Sequence, residues 1–405
     1  MANDFSSLGV SEQFISILKK QNILTPTPIQ RDSIPTGLQG GDIVAVAPTG
    51  TGKTLAFLIP IVTNLVNSSR SNCLILVPTR ELGIQIISEF EKINKFEKQI
   101  LSALIIGGEP QSKQIKQLSK RPQLIVGTPG RINDLLDQGK LLLHNFNQLI
   151  LDETDRMLDM GFSIQIDRIL KFLTGNRQTL LFSATFPDQI KKIANKYLNN
   201  PLNINLKNEI QLSVNLTQDL KRIDANDKYQ VLNDELNERD GTILVFVKTK
   251  RSADKISNKL RKDKHSVDTI HGDLKQNKRE KVIASYRKMK FRILVATDVA
   301  SRGLDIPHID HVINYDLPQC PEDFVHRIGR TARAGAKGKA LTFIAPDDNY
   351  LWNKINKIVK LEKIDSIRTP KGKTKLNKKL NNKTSKKKPS WLKKRESGRK
   401  KKSLG

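Results

Sequence analysis

The sequence predicts an α/β fold in two parallel-sheet domains, and three observations carry that expectation. Short β-branched runs alternate with amphipathic stretches from Asp42 onward. The strand-like runs are apolar nearly throughout, as strands covered by helices on both faces must be. The alternation then stops in a polar stretch, Lys207 to Gln218, and starts again. In order, Ile43–Ala47, Cys73–Val77, Leu124–Val126, Gln148–Leu151, Thr179–Phe182 and Asn203–Leu206 read as strands of the first domain. Thr54–Val66, Arg80–Asn94 and Phe186–Leu198 read as its helices. Thr242–Val247, Val267–Ile270, Arg292–Ala296, His311–Asn314 and Ala340–Ile344 form the second set of strands. Asp347–Lys360 closes that domain as a helix, with Leu351, Ile355 and Ile358 as its core stripe. The domains are therefore placed at 1–206 and 218–365, with a linker at 207–217. From about Ser366 the apolar periodicity is lost, which predicts a disordered tail over 366–405.

Charge points to the partner. The 405 residues hold 70 Lys and Arg against 41 Asp and Glu, a net +29. The last 40 contain 17 cations and one acid, Glu396, leaving a net +13 for residues 1–365. A basic body with a more basic tail suits a polyanion, nucleic acid first. Two cysteines, Cys73 and Cys320, make neither a disulfide framework nor a zinc site and indicate a reducing compartment. No signal peptide is visible, and the longest near-apolar run, Leu55–Val62, is far too short to cross a bilayer. The expectation is a cytoplasmic protein without membrane association.

Ala47-Pro48-Thr49-Gly50-Thr51-Gly52-Lys53-Thr54 follows an apolar strand and opens a helix. Two glycines let backbone amides wrap a phosphate, and the helix N-terminus adds positive potential. Lys53 would neutralise the β- and γ-phosphates, and the Thr54 hydroxyl would hold Mg²⁺. A second strand ends in Leu151-Asp152-Glu153-Thr154-Asp155. Asp152 is placed for the Mg²⁺ shell and Glu153 to polarise an attacking water. Acids at a helix start are common as caps, so it is the pairing with the phosphate loop that favours catalysis.

These residues belong to a longer ordered series. Phe5 and Pro26-Thr27-Pro28-Ile29-Gln30 precede the loop; Pro78-Thr79-Arg80-Glu81-Leu82, Gly107-Gly108 and Thr128-Pro129-Gly130-Arg131 follow it. After the acids come Ser183-Ala184-Thr185, His271-Gly272-Asp273, Gln276-x-x-Arg279 and Ala296-Thr297-Asp298. Arg302-Gly303-Leu304-Asp305 and His326-Arg327-Ile328-Gly329-Arg330-Thr331-Ala332-Arg333 end it. Over about residues 3 to 346 the chain resembles the DEAD-box ATP-dependent RNA helicases. The resemblance implies two RecA-like domains that close on ATP and RNA, a monomer, and an ATPase that separates short duplexes or remodels RNA–protein complexes. It makes residues 3–31 an adenine-reading segment with Gln30 at the base edge. Gly303 and Asp305 would join the phosphate loop in binding ATP. Arg327 and Arg330 become fingers on the γ-phosphoryl group, catalytic together with Glu153. Ser183, Thr185 and His326 would couple the acids to domain motion. Arg80, Gly108, Thr128, Arg131, Arg279 and Thr297 would hold RNA through its backbone. The compact form with a basic tail is most similar to ribosome-associated or RNA-decay members, whose proteins would be partners.

Two positions depart from the family pattern. Asn22-Ile23 stand where a glycine and an aromatic are usual, so Ile23 offers an adenine face dispersion but no π-stacking. Thr154 stands where the box has alanine, adding a hydroxyl. Other readings remain at this stage: an RNA clamp or annealer timed by ATP, and a DNA helicase or another phosphate-loop ATPase.

Overall fold

A computed structural model describes residues 4–48, 50–96, 100–173, 176–206, 216–298, 309–332 and 337–359. Thr49, Gly303, Asp305, most of the linker and the whole 366–405 tail lie outside these residues. Residues Met1–Ile367 form one compact unit.

The first domain is a seven-stranded parallel sheet. Its strands are β1 (Ile43–Val46), β2 (Cys73–Leu76), β3 (Ser102–Ile105), β4 (Leu124–Gly127), β5 (Gln148–Leu151), β6 (Gln178–Ser183) and β7 (Leu202–Asn205). They lie in the order β3-β4-β2-β5-β6-β1-β7. The period-2 pleat divides each inner strand between two cores. Ile43, Ala45 and Ile75 face one core, and Val44, Leu74 and Leu76 face the other. That is why these strands are apolar without alternation. The helices of this domain are α1 (Glu12–Lys19), α2 (Pro28–Leu38), α3 (Lys53–Asn67), α4 (Arg80–Ile93), α5 (Gln111–Leu118), α6 (Pro129–Asp137), α7 (Thr154–Asp159), α8 (Ser163–Phe172) and α9 (Asp188–Tyr197).

The second domain repeats the plan with β8 (Leu216–Arg222), β9 (Ile243–Phe246), β10 (Val267–Ile270), β11 (Ile293–Ala296), β12 (His311–Asn314) and β13 (Gly338–Ile344). Its parallel sheet runs β10-β11-β9-β12-β13-β8. The helices are α10 (Lys228–Glu238), α11 (Lys250–Lys262), α12 (Gln276–Arg287), α13 (Pro321–Ile328) and α14 (Asn349–Val359). In α14, Ile355 is fully buried while Leu351 packs half-buried on the same core; the Ile358 side chain lies outside the description. Thr79 after β2 and Thr249 after β9 each cap the following helix, α4 and α11, with nearly the same backbone angles. The two domains thus share local construction as well as topology.

Two strands are absent from the sequence reading, and both sit at sheet edges. β3 alternates half-buried with buried residues, and β8 is half-exposed along its length. The β8 sequence, Leu-Thr-Gln-Asp-Leu-Lys-Arg, commits only Leu216 and Leu220 to a core. A polar edge strand looks like linker, and the expected linker accordingly overran the first two residues of β8.

Candidate active site and nucleic-acid interface

The sheet order assembles the site. β6 lies between β1 and β5, so the segments leaving the carboxyl ends of these three strands meet in one crevice. The phosphate loop leaves β1, the acids leave β5, and Ser183-Ala184-Thr185 leaves β6. The Ala47 amide donates to the Ser183 carbonyl at 2.9 Å. The Asp155 carboxylate accepts from the amides of Ala184 (3.2 Å) and Thr185 (3.0 Å) and from the Thr185 hydroxyl (3.1 Å).

Gly50 and Gly52 both have left-handed backbone, φ +84° and +94°. At Gly52 a Cβ would also stand 2.6 Å from Gln30 Nε2, so only glycine fits. Lys53 is buried, its ammonium donating to the Ala47 carbonyl at 2.9 Å and thereby curling back into the loop. Asp152 is buried beside it. Burial pushes its carboxyl up, Lys53 pulls it down and the neighbouring Glu153 and Asp155 charges push it up again, leaving it at about 7. Glu153 takes a left-handed conformation, φ +48° and ψ +49°, uncommon for a side chain of its size. That turn sets Glu153 at the mouth of α7 immediately after the Asp152 position.

The Gln30 amide spans two parts of the site. Its Oε1 accepts from the Thr27 amide (3.0 Å) and its Nε2 donates to the Gly52 carbonyl (3.1 Å). One hydrogen and one lone pair remain for a base edge. Both departures from the family pattern are accommodated. Asn22 has φ +59° beyond the end of α1, a conformation that glycine and then asparagine favour. The buried Thr154 hydroxyl sits 3.1 Å from the Leu151 carbonyl and 3.2 Å from the Phe182 carbonyl, tying the ends of β5 and β6.

Three of the expected residues meet other partners in this structure. Arg327, expected as a finger, is held within the second domain. It forks onto both oxygens of Asp298 at 2.6 and 2.7 Å, reaches Asn314 and the Asp316 carbonyl, and lies over the Phe246 ring. Its guanidinium is an internal tie of the second domain, because a fork this well matched and buried holds the charge in place. Arg330 lies buried just past α13, and Arg333 lies outside the described residues. Ser183 contributes its carbonyl, while its buried hydroxyl has no hydrogen-bond partner among the described residues; of the expected coupling pair, only the Thr185 hydroxyl bonds to an acid there. His326 meets neither Ser183 nor Thr185. Its Nδ1 faces the guanidinium of Arg156, and since arginine only donates, Nδ1 must be the accepting, unprotonated nitrogen.

Arg156 is the residue that sequence reading missed. It belongs to α7 of the first domain, is almost fully buried, and pairs with Asp323 and His326 on α13 of the second. Burial alone would push this guanidinium down, but Asp323, Asp155 and Glu153 outweigh it and hold it above its ordinary value. The box acids and the helix that leads to Arg330 are thus fastened together.

The expected RNA residues fall into two groups. At the carboxyl ends of β2, β3 and β4, the Arg80 guanidinium packs against Gly107-Gly108; a Cβ at Gly108 would overlap it. Arg131 donates to the Glu109 carbonyl at 3.3 Å, and Thr128 precedes α6 in the same corner. Thr297, buried after β11, belongs to the second domain. Arg279 departs from expectation: it is buried, and its Nη2 lies 2.8 Å from Glu81 of the first domain. Burial lowers its pKa, Glu81 raises it and the nearby Arg80 lowers it further. It bridges the domains beside the Arg80 corner, and its Nη2 is committed to a carboxylate.

Comparison with known proteins shows the family. Residues 27–193 match the model of the DEAD/DEAH box helicase family, and residues 227–335 match that of the helicase conserved C-terminal domain. ATP-dependent RNA helicase CshA of Listeria monocytogenes is 42% identical over 344 residues, covering 84% of this chain and 66% of that protein. DEAD-box ATP-dependent RNA helicase CshA of Geobacillus kaustophilus is 41% identical over 368 residues, covering 90% of this chain and 78% of the relative. The chain therefore spans about two thirds to three quarters of their length. Among solved structures, S. cerevisiae Dbp5 bound to RNA and ADP BeF3 superposes with a TM-score of 0.80 at 32% identity, covering 88% of this chain and 94% of that one.

Proposed function

Because the chain belongs to the DEAD-box ATP-dependent RNA helicase family, we propose that it is an RNA-stimulated ATPase that opens short duplexes, or strips RNA of bound protein, by local bending. The observation that carries this reading is the docking of α13 on α7 through Arg156, Asp323 and His326. It brings the Arg330 end of the second domain to the acids of the first. Neither domain alone holds loop, acids and finger. The likeness to Dbp5 bound to RNA and ADP BeF3, over 88% of this chain, supports the reading of a joint RNA and nucleotide site.

Lys53 and the loop amides would hold the phosphates, and Gln30 the adenine. Glu153 would take the proton of the attacking water, and Arg330 would meet charge developing on the transferred phosphoryl group. Mg²⁺ fits the donor set: one buried carboxylate, Asp152, and one hydroxyl, Thr54, suit a hard cation that takes its other ligands from phosphates and water. Bound there, it would neutralise phosphate charge. Among the described residues no cluster of three or more His, Cys, Asp or Glu could hold a metal unaided. RNA would lie on the Arg80–Gly108–Thr128–Arg131 corner and continue past Thr297, held by its backbone.

The test is ATP turnover without nucleic acid, with RNA and with DNA, for wild type and Glu153→Gln. RNA alone should stimulate, and Glu153→Gln should abolish turnover while ATP and RNA remain bound. Equal stimulation by DNA would make the chain a general nucleic-acid ATPase. Near wild-type turnover by Glu153→Gln would remove Glu153 from the mechanism.

A further inference from the structure

The positive charge of the folded body is concentrated in one place. Residues 248–290 hold fifteen Lys and Arg against five Asp and Glu, a net +10 out of the +13 carried by residues 1–365. This stretch is α11, β10 and α12. Of its fifteen cations all but Arg279 are exposed. α11 packs on one face of the sheet and α12 on the other, at the edge formed by β10.

Both helices start near the expected RNA path: α11 with Lys250, and α12 with Gln276 and Arg279. Both then run back to the opposite end of the sheet. Val267 at the start of β10 pairs with Ile293 at the start of β11, so the loops that leave α11 and α12 reach that end side by side. They bring Arg261, Lys262, Lys264, Arg287, Lys288 and Lys290 to one corner. α11 spans about 20 Å at 1.5 Å per residue. Lys255 and Lys259 along α11, and Lys278 and Lys281 along α12, continue the charge from cleft to corner.

Helix C-termini attract cations, but that effect explains little here. α4, α8 and α9 of the first domain each carry one basic residue in the last turn, whereas α11 carries three. Neighbouring acids absorb only part of this charge: Asp273 pairs with Lys250 and Asp268 with Arg261 of the corner, while Asp263 accepts from the Tyr229 hydroxyl.

We propose that this corner is a second phosphate-binding surface, which takes the part of an RNA that runs on beyond the cleft. The inference rests on the reading of the cleft as an RNA site and adds the length dependence of binding. Such contacts neutralise phosphates without reading bases and release counterions.

The experiment uses the full chain with Lys262→Gln, Lys264→Asn, Lys288→Gln and Lys290→Gln combined; asparagine suits the left-handed backbone of Lys264, φ +65°. RNA binding is titrated against salt with a short single strand that only fills the cleft and with a long transcript containing it. For the long RNA, if about three of the four lysines engage phosphates, the salt slope should fall by about 2, at roughly 0.7 per phosphate. Its half-saturating concentration at low salt should rise about tenfold. Short-strand binding and saturated turnover should stay at wild-type values, and four Lys→Arg replacements should keep long-RNA binding. Equal binding of the long RNA by wild type and the neutral variant overturns the corner alone. Weakened binding of both RNAs to the same degree also overturns it, since the lysines would then act at the cleft. A wild-type chain whose turnover ignores RNA would instead break the reading of the cleft.

Discussion

The two arginines of the His326–Arg330 segment show how one side chain's surroundings decide its role. Arg327 fills its donors within the second domain, so Arg327→Ala would leave Asp298 and Asn314 facing a gap. Breaking a buried ion pair costs about 3–5 kcal/mol. The expected outcome is a lower melting temperature for the whole chain, with turnover lost only as the fold is lost. Arg330→Ala should depress kcat by on the order of 10³ in protein that is still folded. An Arg327→Ala protein that melts like wild type yet fails to turn over would reverse this assignment. Much at this scale was legible in the sequence, because Lys53, Asp152 and Glu153 announce themselves by chemistry and spacing, and Gln30 through the family resemblance. Arg156 did not. An arginine following an acidic box reads as a solvated surface residue until the fold brings Asp323 and His326 to it, 167 and 170 positions away. The Thr154 hydroxyl likewise found acceptors on two strands that adjacency alone could not place.

At the scale of elements, apolar inner strands with capped helices were readable, and polar edge strands were not. β8 needs more than burial to stay on the sheet, and ionic ties supply it. Lys221 on β8 and Arg239 beyond α10 both bond to the carboxylate of Glu235 on α10. Burial pushes that carboxyl up, but these two donors outweigh it and hold Glu235 below its ordinary 4.5. A depressed carboxyl stabilises the fold above the unfolded value and loses that contribution as pH falls through the folded one. Wild-type stability should therefore fall on acidification below about 4.5, partly through Glu235. Glu235→Gln should cost about 2 kcal/mol at neutral pH, as expected for hydrogen bonds to a charged group. Its melting temperature should then depend less on pH across the acid range. Parallel melting curves for variant and wild type from pH 5 to pH 2 would show that Glu235 does not titrate as described.

For the whole molecule, the proposed function depends on closure, and charge ties the two domains together. Arg156 with Asp323 and His326 forms one tie between the domains, and Arg279 with Glu81 forms another beside the Arg80 corner. Both ties exist only when the domains meet. A ligand that favours the closed state favours every other ligand that needs it, so nucleotide and RNA should strengthen each other's binding reciprocally. Glu81→Gln keeps the size of the side chain but leaves the buried Arg279 without its counter-charge in the closed state alone. An uncompensated buried charge costs about 3–5 kcal/mol, and water reaching the gap would relieve part of it. Neither domain's own core contains this pair, so the melting temperature should hold. The factor by which an ATP analogue tightens RNA binding should shrink at least tenfold. The same factor should be lost from RNA's effect on nucleotide binding, because coupling free energy is shared by both ligands. Loss of affinity for RNA alone, with the coupling factor intact, would mean that Glu81 acts at the RNA surface and not through closure.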